Sequence, residues 1–221
     1  MSKCAVIVTG GMLEEELVLK TIASIEDPWI LGVDKGVEFL YKYDILPSYI
    51  VGDFDSLPEE IIEYYRCETK VPIREYNPVK DASDTEIAIR LGMTLGCSKL
   101  IILGATGGRI DHLWANVQTL MIPLKAGVEA IILDSQNRIR LIDGETHLKK
   151  EEAYGKYFSV FPLGQEVHEF SISGAKYPLH KHTLTPYDSL CVSNQISDDE
   201  VTIDFTTGTV ILMETKDREK Q

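Results

Sequence analysis

The chain places carboxylates directly after apolar runs, at spacings that suit a divalent cation and a phosphorylated ligand. The clearest case is Gly52-Asp53-Phe54-Asp55-Ser56, which follows Tyr49-Ile50-Val51. The apolar run reads as a buried strand, and Gly52 lets the backbone leave it. Asp53 and Asp55 alternate along the chain, so extended geometry carried through them would project both from one face. Two carboxylates at ~4 Å repel by roughly 4 kcal/mol at an effective dielectric of about 20. A cation between them offsets that cost; a solvated turn that merely ends the strand is the bland alternative. Carboxylates beside phosphates favour Mg2+, which takes one or two protein oxygens and completes its octahedron with water and phosphate.

Two further stretches carry similar chemistry. In Lys80-Asp81-Ala82-Ser83-Asp84, the two aspartates are three apart at the start of a helix and can share a face. Ser83 and Glu86 form a capping-box pattern there. Capping and dipole compensation explain either aspartate alone, but a lysine at a helix start is unfavourable, and a phosphate and metal site accommodates all three. The second stretch is Gly104-Ala105-Thr106-Gly107-Gly108-Arg109-Ile110-Asp111-His112. Its glycines permit positive φ and close approach to a ligand, the following helix offers free amides to an anion, and Arg109 presents a planar fork for phosphate oxygens. It is neither a Walker A loop, lacking the GKS/T end, nor a GxGxxG fingerprint. A tight strand-to-helix turn with Arg109 in a surface ion pair competes with phosphate binding. His112 reads as a helix residue packed in the core. His180 and His182 could form a metal pair, but no third ligand accompanies them, and a solvated strand or loop fits better.

The elements that must position these residues alternate in the first half of the chain. Strands are expected at Ala5 to Val8, Trp29 to Val33, Tyr49 to Val51, Val71 to Tyr76, Lys99 to Leu103 and Glu129 to Leu133. Helices are expected between them: Leu13 to Ile25, one opening at Lys35-Gly36 and running through Tyr43, one opening at Leu57-Pro58 with Ser56 as N-cap, one from Ser83 to about Leu95, and one after His112 to about Leu124. This is the spacing of parallel β/α units. Gly10, Asp34, Asp53, Asp55, the 80–84 segment and the 104–111 segment all follow strands. In an open parallel sheet the carboxyl ends lie on one edge, where ligands bind. Loops remote in sequence are therefore expected to converge on one cleft.

After Ser135 the pattern changes to short alternating runs at 138–142, 157–161, 167–172, 189–192, 201–205 and 209–213, punctuated by turn residues. That is the signature of an antiparallel sandwich or barrel. The expectation is an α/β domain with a mainly parallel sheet over residues 1–138, followed by an all-β antiparallel sandwich over 139–221. Ser193-Asn194 follows one of the predicted strands. It is either an ordinary Asx turn or a source of hydrogen bonds to a small heterocycle between the domains.

Composition excludes several classes. A net charge of −13 works against nucleic-acid binding, which needs a basic footprint. It does not exclude small phosphorylated ligands, because a cation and a few local basic groups can reverse the sign at one site. Cys4, Cys67, Cys97 and Cys191 show no CxxC spacing, which argues against a zinc or redox site and suits a reducing cytosol. The N-terminal apolar run is a first strand rather than a signal peptide, and no stretch is long enough to span a membrane. The expected setting is cytoplasmic.

Taken together, Asp34-Lys35-Gly36, GDFDS at 52–56, KDASD at 80–84, GATGGRIDH at 104–112, SGAKYPL at 173–179 and Ser193-Asn194 resemble the bacterial-type thiamine pyrophosphokinase family. The match keeps the same order over nearly the whole chain. The resemblance implies pyrophosphoryl transfer from ATP to the hydroxyl of thiamine with Mg2+, giving thiamine diphosphate and AMP. It also implies a homodimer with sites between subunits. It implies that Asp53, Asp55 and Asp84 hold the metal and that Asp34, Ser83, Gly104, Gly107, Gly108 and Arg109 bind the nucleotide. Asp34, Asp111, Ser193 and Asn194 fall to the thiamine side, and Asp111, Arg109, Asp81 and Lys80 to catalysis. Asp111 and Asp81 both remain candidates to orient or deprotonate the hydroxyl. A related pyrophosphokinase acting on another heterocyclic alcohol, such as a hydroxymethylpterin, or a nucleotide- or thiamine-binding protein without turnover, are the alternatives. The family often has DGG where this chain has Asp34-Lys35-Gly36, which raises the questions whether position 35 needs positive φ and whether Lys35 adds a phosphate contact. It often has KDxTD where Ser83 stands; serine keeps the hydroxyl.

Overall fold

The structure, a computed structural model, describes residues 3–55, 57–75 and 82–218. The chain divides into two compact units, Met1–Ser135 and Gln136–Gln221. Among the described residues no helix is long and apolar enough to cross a membrane.

The first unit alternates strands and helices: β1 (Lys3–Val8), α1 (Glu15–Ala23), β2 (Trp29–Val33), α2 (Gly36–Lys42), β3 (Tyr49–Gly52), α3 (Glu59–Glu68), β4 (Ile73–Glu75), α4 (Asp84–Thr94), β5 (Cys97–Leu103), α5 (Ile110–Thr119), α6 (Met121–Lys125) and β6 (Glu129–Leu133). The strands lie in the order β4-β3-β2-β1-β5-β6, and each pair is parallel. Central strands buried on both faces read as continuous apolar runs, and Ala5 to Val8 on β1 are fully buried. The chain steps outward from β1 to β4, then returns with β5 on the other side of β1. That reversal makes the carboxyl ends of β1 and β5 a topological switch point, where a crevice opens.

Several local expectations change. The N-cap of α3 is Pro58, not Ser56, and Pro58 makes no side-chain cap bond; Ser56 lies outside the described residues. Tyr76 lies outside them too, and β4 is shorter than expected. The helix after His112 is split into α5 and α6, which meet at Leu120, with Pro123 inside the second piece. Proline removes an amide donor and crowds the preceding turn, so one continuous helix is not sustained there.

The second unit contains β7 (Asn137–Ile142), β8 (Thr146–Lys149), β9 (Tyr157–Pro162), β10 (Val167–Ser173), β11 (Leu179–Leu184), β12 (Glu200–Asp204) and β13 (Val210–Thr215). β13 pairs antiparallel with β7 and β9; β10 pairs with β11 and β12, and β12 with β8. Phe158, Val160, Val210 and Leu212 from the first set share one core with Val167, Phe170, Ile172, Val201 and Ile203 from the second. This is sandwich packing, in which alternate residues of each strand face inward. Residues 189–192, expected to be a strand, form a turn instead. Cys191 alone of that run is buried, whereas Leu190 and Val192 are exposed, so an apolar run that reads as a strand buries a single side chain. β8 escaped notice because Leu148 is its single apolar residue.

Candidate functional site

The loops after β1 and β5 are laced together at the switch point. Thr9 N donates to Leu103 O at 2.9 Å, Gly11 N to Gly104 O at 2.8 Å and Met12 N to Thr106 O at 2.9 Å. Gly104 has φ +74°, and a side chain there would collide with the Thr9 carbonyl, so only glycine lets the two loops close. The glycine-rich loop is held from two further sides. Asn116 on α5 donates from Nδ2 to Ala105 O at 3.1 Å, and the Thr106 hydroxyl donates to Asp134 Oδ2 at 2.6 Å. Thr9 and Thr85 join their hydroxyls at 3.3 Å, linking the end of β1 to the first turn of α4.

A cavity of about 840 Å³ opens at this edge. Its wall includes Asp34, Asp53, Asp55, Ser83, Asp84, Gly104, Gly108, Arg109 and Asp111, contributed by four separate stretches of the chain, and the loop after β1 adds Thr9, Gly10 and Gly11. Carboxylates predicted from β2, β3, α4 and α5 therefore meet in one place. Lys80 and Asp81 lie outside the described residues. Gly107 does not border the cavity; its backbone packs against Met12. His112, expected in the core, is exposed and lines the cleft. The expectation missed Thr9, Thr85, Thr106 and Asn116. Of these, Asn116 left a trace in the sequence, as a polar residue beside Val117 on the buried face of an amphipathic helix.

The acidic pair arrives by a different route from the one expected. β3 ends at Gly52, and Phe54 takes φ +59°, so the extended conformation does not continue through Asp55. The Phe54 ring is buried with Val37, Ile50 and Ile61. Asp53 Oδ1 accepts from Asp55 N at 3.4 Å, the pattern of an Asx turn. It is this turn, rather than strand alternation, that presents Asp53 and Asp55 to the same cavity. Gly52 serves a close approach: a side chain on it would run into the Asp34 carboxylate. Positive φ falls on Asp34 at +46°, whereas Lys35 is right-handed helical at φ −60°, ψ −17°, so a non-glycine residue at 35 carries no strain.

Ser83 caps α4 by accepting from Glu86 N at 3.2 Å. Among the described residues, the reciprocal arm of the capping box is replaced by an ion pair from Glu86 to Arg90 at 2.8 Å. Arg109 forms a fork on Asp111, with Nε to Oδ1 at 3.1 Å and Nη2 to Oδ2 at 2.5 Å. The Arg109 guanidinium holds the Asp111 carboxyl below its ordinary range, and the guanidinium is raised in turn.

The donor set suits Mg2+: Asp53, Asp55 and Asp84 offer hard carboxylate oxygens on one cavity. Among the described residues no three His, Cys, Asp or Glu side chains converge closely enough to cage a metal unaided.

In the second unit, Asn194 is buried and its amide is engaged. Oδ1 accepts from Tyr177 N at 3.0 Å and from Gln195 N at 2.9 Å, while Nδ2 donates to Tyr177 O at 2.8 Å. Ser193 has φ +59° and donates from its backbone to Ser159 Oγ at 2.9 Å. Asn194 therefore clamps the backbone of Tyr177, and the Asx turn expected here, with a bond to the amide two residues on, is not what its side chain makes. His180 and His182 lie on β11, and among the described residues no metal cluster includes them.

An open parallel sheet with an acidic, glycine-lined cleft at its switch point defines an α/β protein with its candidate ligand site at the carboxyl edge of the strands. The comparisons with known proteins narrow this. Residues 23–132 match the family profile "Thiamin pyrophosphokinase, catalytic domain", and residues 145–210 match "Thiamin pyrophosphokinase, vitamin B1 binding domain". The chain is 34% identical to the thiamine pyrophosphokinase of Bacillus subtilis over 191 residues, 86% of this chain and 87% of that protein. The crystal structure of thiamine pyrophosphokinase from Bacillus subtilis superposes with a TM-score of 0.86 at 30% identity, covering 98% of this chain and all of that one. The enzyme of Geobacillus thermodenitrificans gives 0.84 at 30% identity, covering 98% and 99%. The chain belongs to the thiamine pyrophosphokinase family.

Proposed function

We propose that the cleft at the carboxyl ends of β1 and β5 transfers the pyrophosphoryl group of ATP to the hydroxyl of thiamine, giving thiamine diphosphate and AMP. The observation that carries this reading is the meeting of Asp34, Asp53, Asp55, Asp84, Arg109 and Asp111 on one cavity in a chain of this family. The reaction needs alignment of the hydroxyl with the β-phosphorus and relief of negative charge more than covalent help from the protein. Asp53, Asp55 and Asp84 would hold Mg2+, which when bound supplies charge neutralisation and orientation of the phosphates. The glycine-rich loop, braced by Asn116 and Asp134, gives backbone amides a fixed position against the polyphosphate. Arg109 would offset the negative charge that grows on the transferred group. Asp111, held ionised by Arg109, suits an acceptor that orients the thiamine hydroxyl, since a carboxylate of lowered pKa is a weak base. The acidic cleft also attracts a cationic thiazolium ring. The second unit, with Ser193 and the Asn194 clamp, recognises the vitamin, and the working assembly is a homodimer.

Incubation with ATP, Mg2+ and thiamine, with AMP followed over time, tests the reading. AMP formation with thiamine but not with a hydroxymethylpterin is the expected result. AMP with the pterin alone selects a different acceptor. Saturable binding with no AMP from either acceptor removes the catalytic reading.

A further inference from the structure

We propose that Lys35 is a nucleotide-contacting residue that supplies the uncommitted positive charge of the cleft, acting on the phosphate chain of ATP. The inference rests on the function proposed above. Among the described residues lining the cavity, Asp34, Asp53, Asp55, Asp84 and Asp111 carry negative charge, while Lys35 and Arg109 carry full positive charge. Arg109 is already committed, with two of its nitrogens on Asp111. Among the described residues, no hydrogen bond or ion pair engages the Lys35 ammonium.

The position of Lys35 points the same way. It stands at the N-cap of α2, where the helix dipole disfavours a cation. It is exposed, so packing does not explain it. Its Cβ lies 3.0 Å from where a side chain on Gly10 would begin, so the base of its side chain borders the loop after β1. A flexible ammonium on that rim can follow a polyphosphate without disturbing the Arg109–Asp111 fork. A polyanion entering a cleft with this excess of carboxylates needs compensating charge in addition to Mg2+, and Lys35 is placed to give it.

The test compares wild type with Lys35→Met, which keeps most of the stem, and Lys35→Arg, which keeps the charge. Thermal melts first establish that all three are folded. Binding of ATP with Mg2+ in the absence of thiamine is read by calorimetry, and KM values by AMP release. Lys35→Met is expected to weaken ATP binding about tenfold, the scale of one charge-assisted contact. Lys35→Arg stays within about threefold of wild type because the charge is kept. Wild-type affinity also falls more steeply with NaCl than that of Lys35→Met. The KM for thiamine remains close to wild type. ATP binding by Lys35→Met equal to wild type, or an equal loss for ATP and thiamine, overturns the proposal. A loss confined to kcat overturns it as well. A wild-type protein that binds ATP through Lys35 yet forms no AMP upholds this contact while removing the function on which it was read.

Discussion

Asp134, just past the end of β6, accepts a 2.6 Å hydrogen bond from the hydroxyl of Thr106, in the middle of the glycine-rich loop after β5. Neighbouring parallel strands thus share one loop: β5 supplies it and the end of β6 fixes it. Thr106→Val keeps the shape and removes the donor. It is expected to raise the KM for ATP about fivefold, roughly 1 kcal/mol and so the scale of one net intramolecular hydrogen bond, and to lower the melting temperature by a few degrees. Steady-state kinetics with ATP varied and a thermal melt check this together.

The Arg109–Asp111 fork makes a prediction about pH. The guanidinium favours the ionised carboxylate, so the Asp111 pKa lies below its ordinary value. Removing the charge by Arg109→Met brings that pKa back up toward the ordinary carboxylate range. A carbon-detected NMR titration of the ligand-free protein is expected to show the Asp111 resonance moving at higher pH in the variant. The acid limb of kcat/KM for the residual activity moves the same way.

Asp53, Asp55 and Asp84 are the proposed holders of Mg2+. Each replaced by Asn in turn should lower kcat/KM at ordinary Mg2+ by about a hundredfold or more, with the fold intact, since an amide is a poorer ligand for a hard cation. The Mg2+ concentration giving half-maximal rate should rise in all three variants. Near wild-type rates and an unchanged Mg2+ requirement in Asp53→Asn and Asp55→Asn would refute the metal assignment.

Asn194 holds both backbone groups of Tyr177 from a buried position. Asn194→Ala leaves them without these partners and is expected to cost about 2 kcal/mol of stability. It should also raise the KM for thiamine more than that for ATP, because the clamp shapes the second unit. Urea unfolding followed beside two-substrate kinetics separates the two effects.

How much of this was legible beforehand follows from the range of the forces involved. β2 and β6 have the expected limits, because strand periodicity and flanking turn residues are local signals. The glycines and acids after the strands marked the cleft, because parallel topology sends every strand end to one edge. Residues 189–192 misled: a short apolar run looks like a strand, yet burying only Cys191 leaves it a turn. At the site, the types were readable but the conformations were not. Asp53 and Asp55 share a cavity through an Asx turn and a left-handed Phe54, which depends on a pocket for the Phe54 ring built by other elements.

The sequence by itself determined the alternation of strands and helices in the first unit, the change from β/α units to short strands, and the identity of most acids in the cleft. Each of these is written in residues close together in the chain. Tertiary structure alone decided which groups hold the site in shape: Thr9 with Thr85, Thr106 with Asp134, Asn116 with the Ala105 carbonyl, and the closeness of Asp34 to Gly52. It also decided that Arg109 is engaged and Lys35 is not, among the described residues. The physical reason is that a hydrogen bond or ion pair between distant positions depends on a separation of a few ångströms, and folding sets that separation.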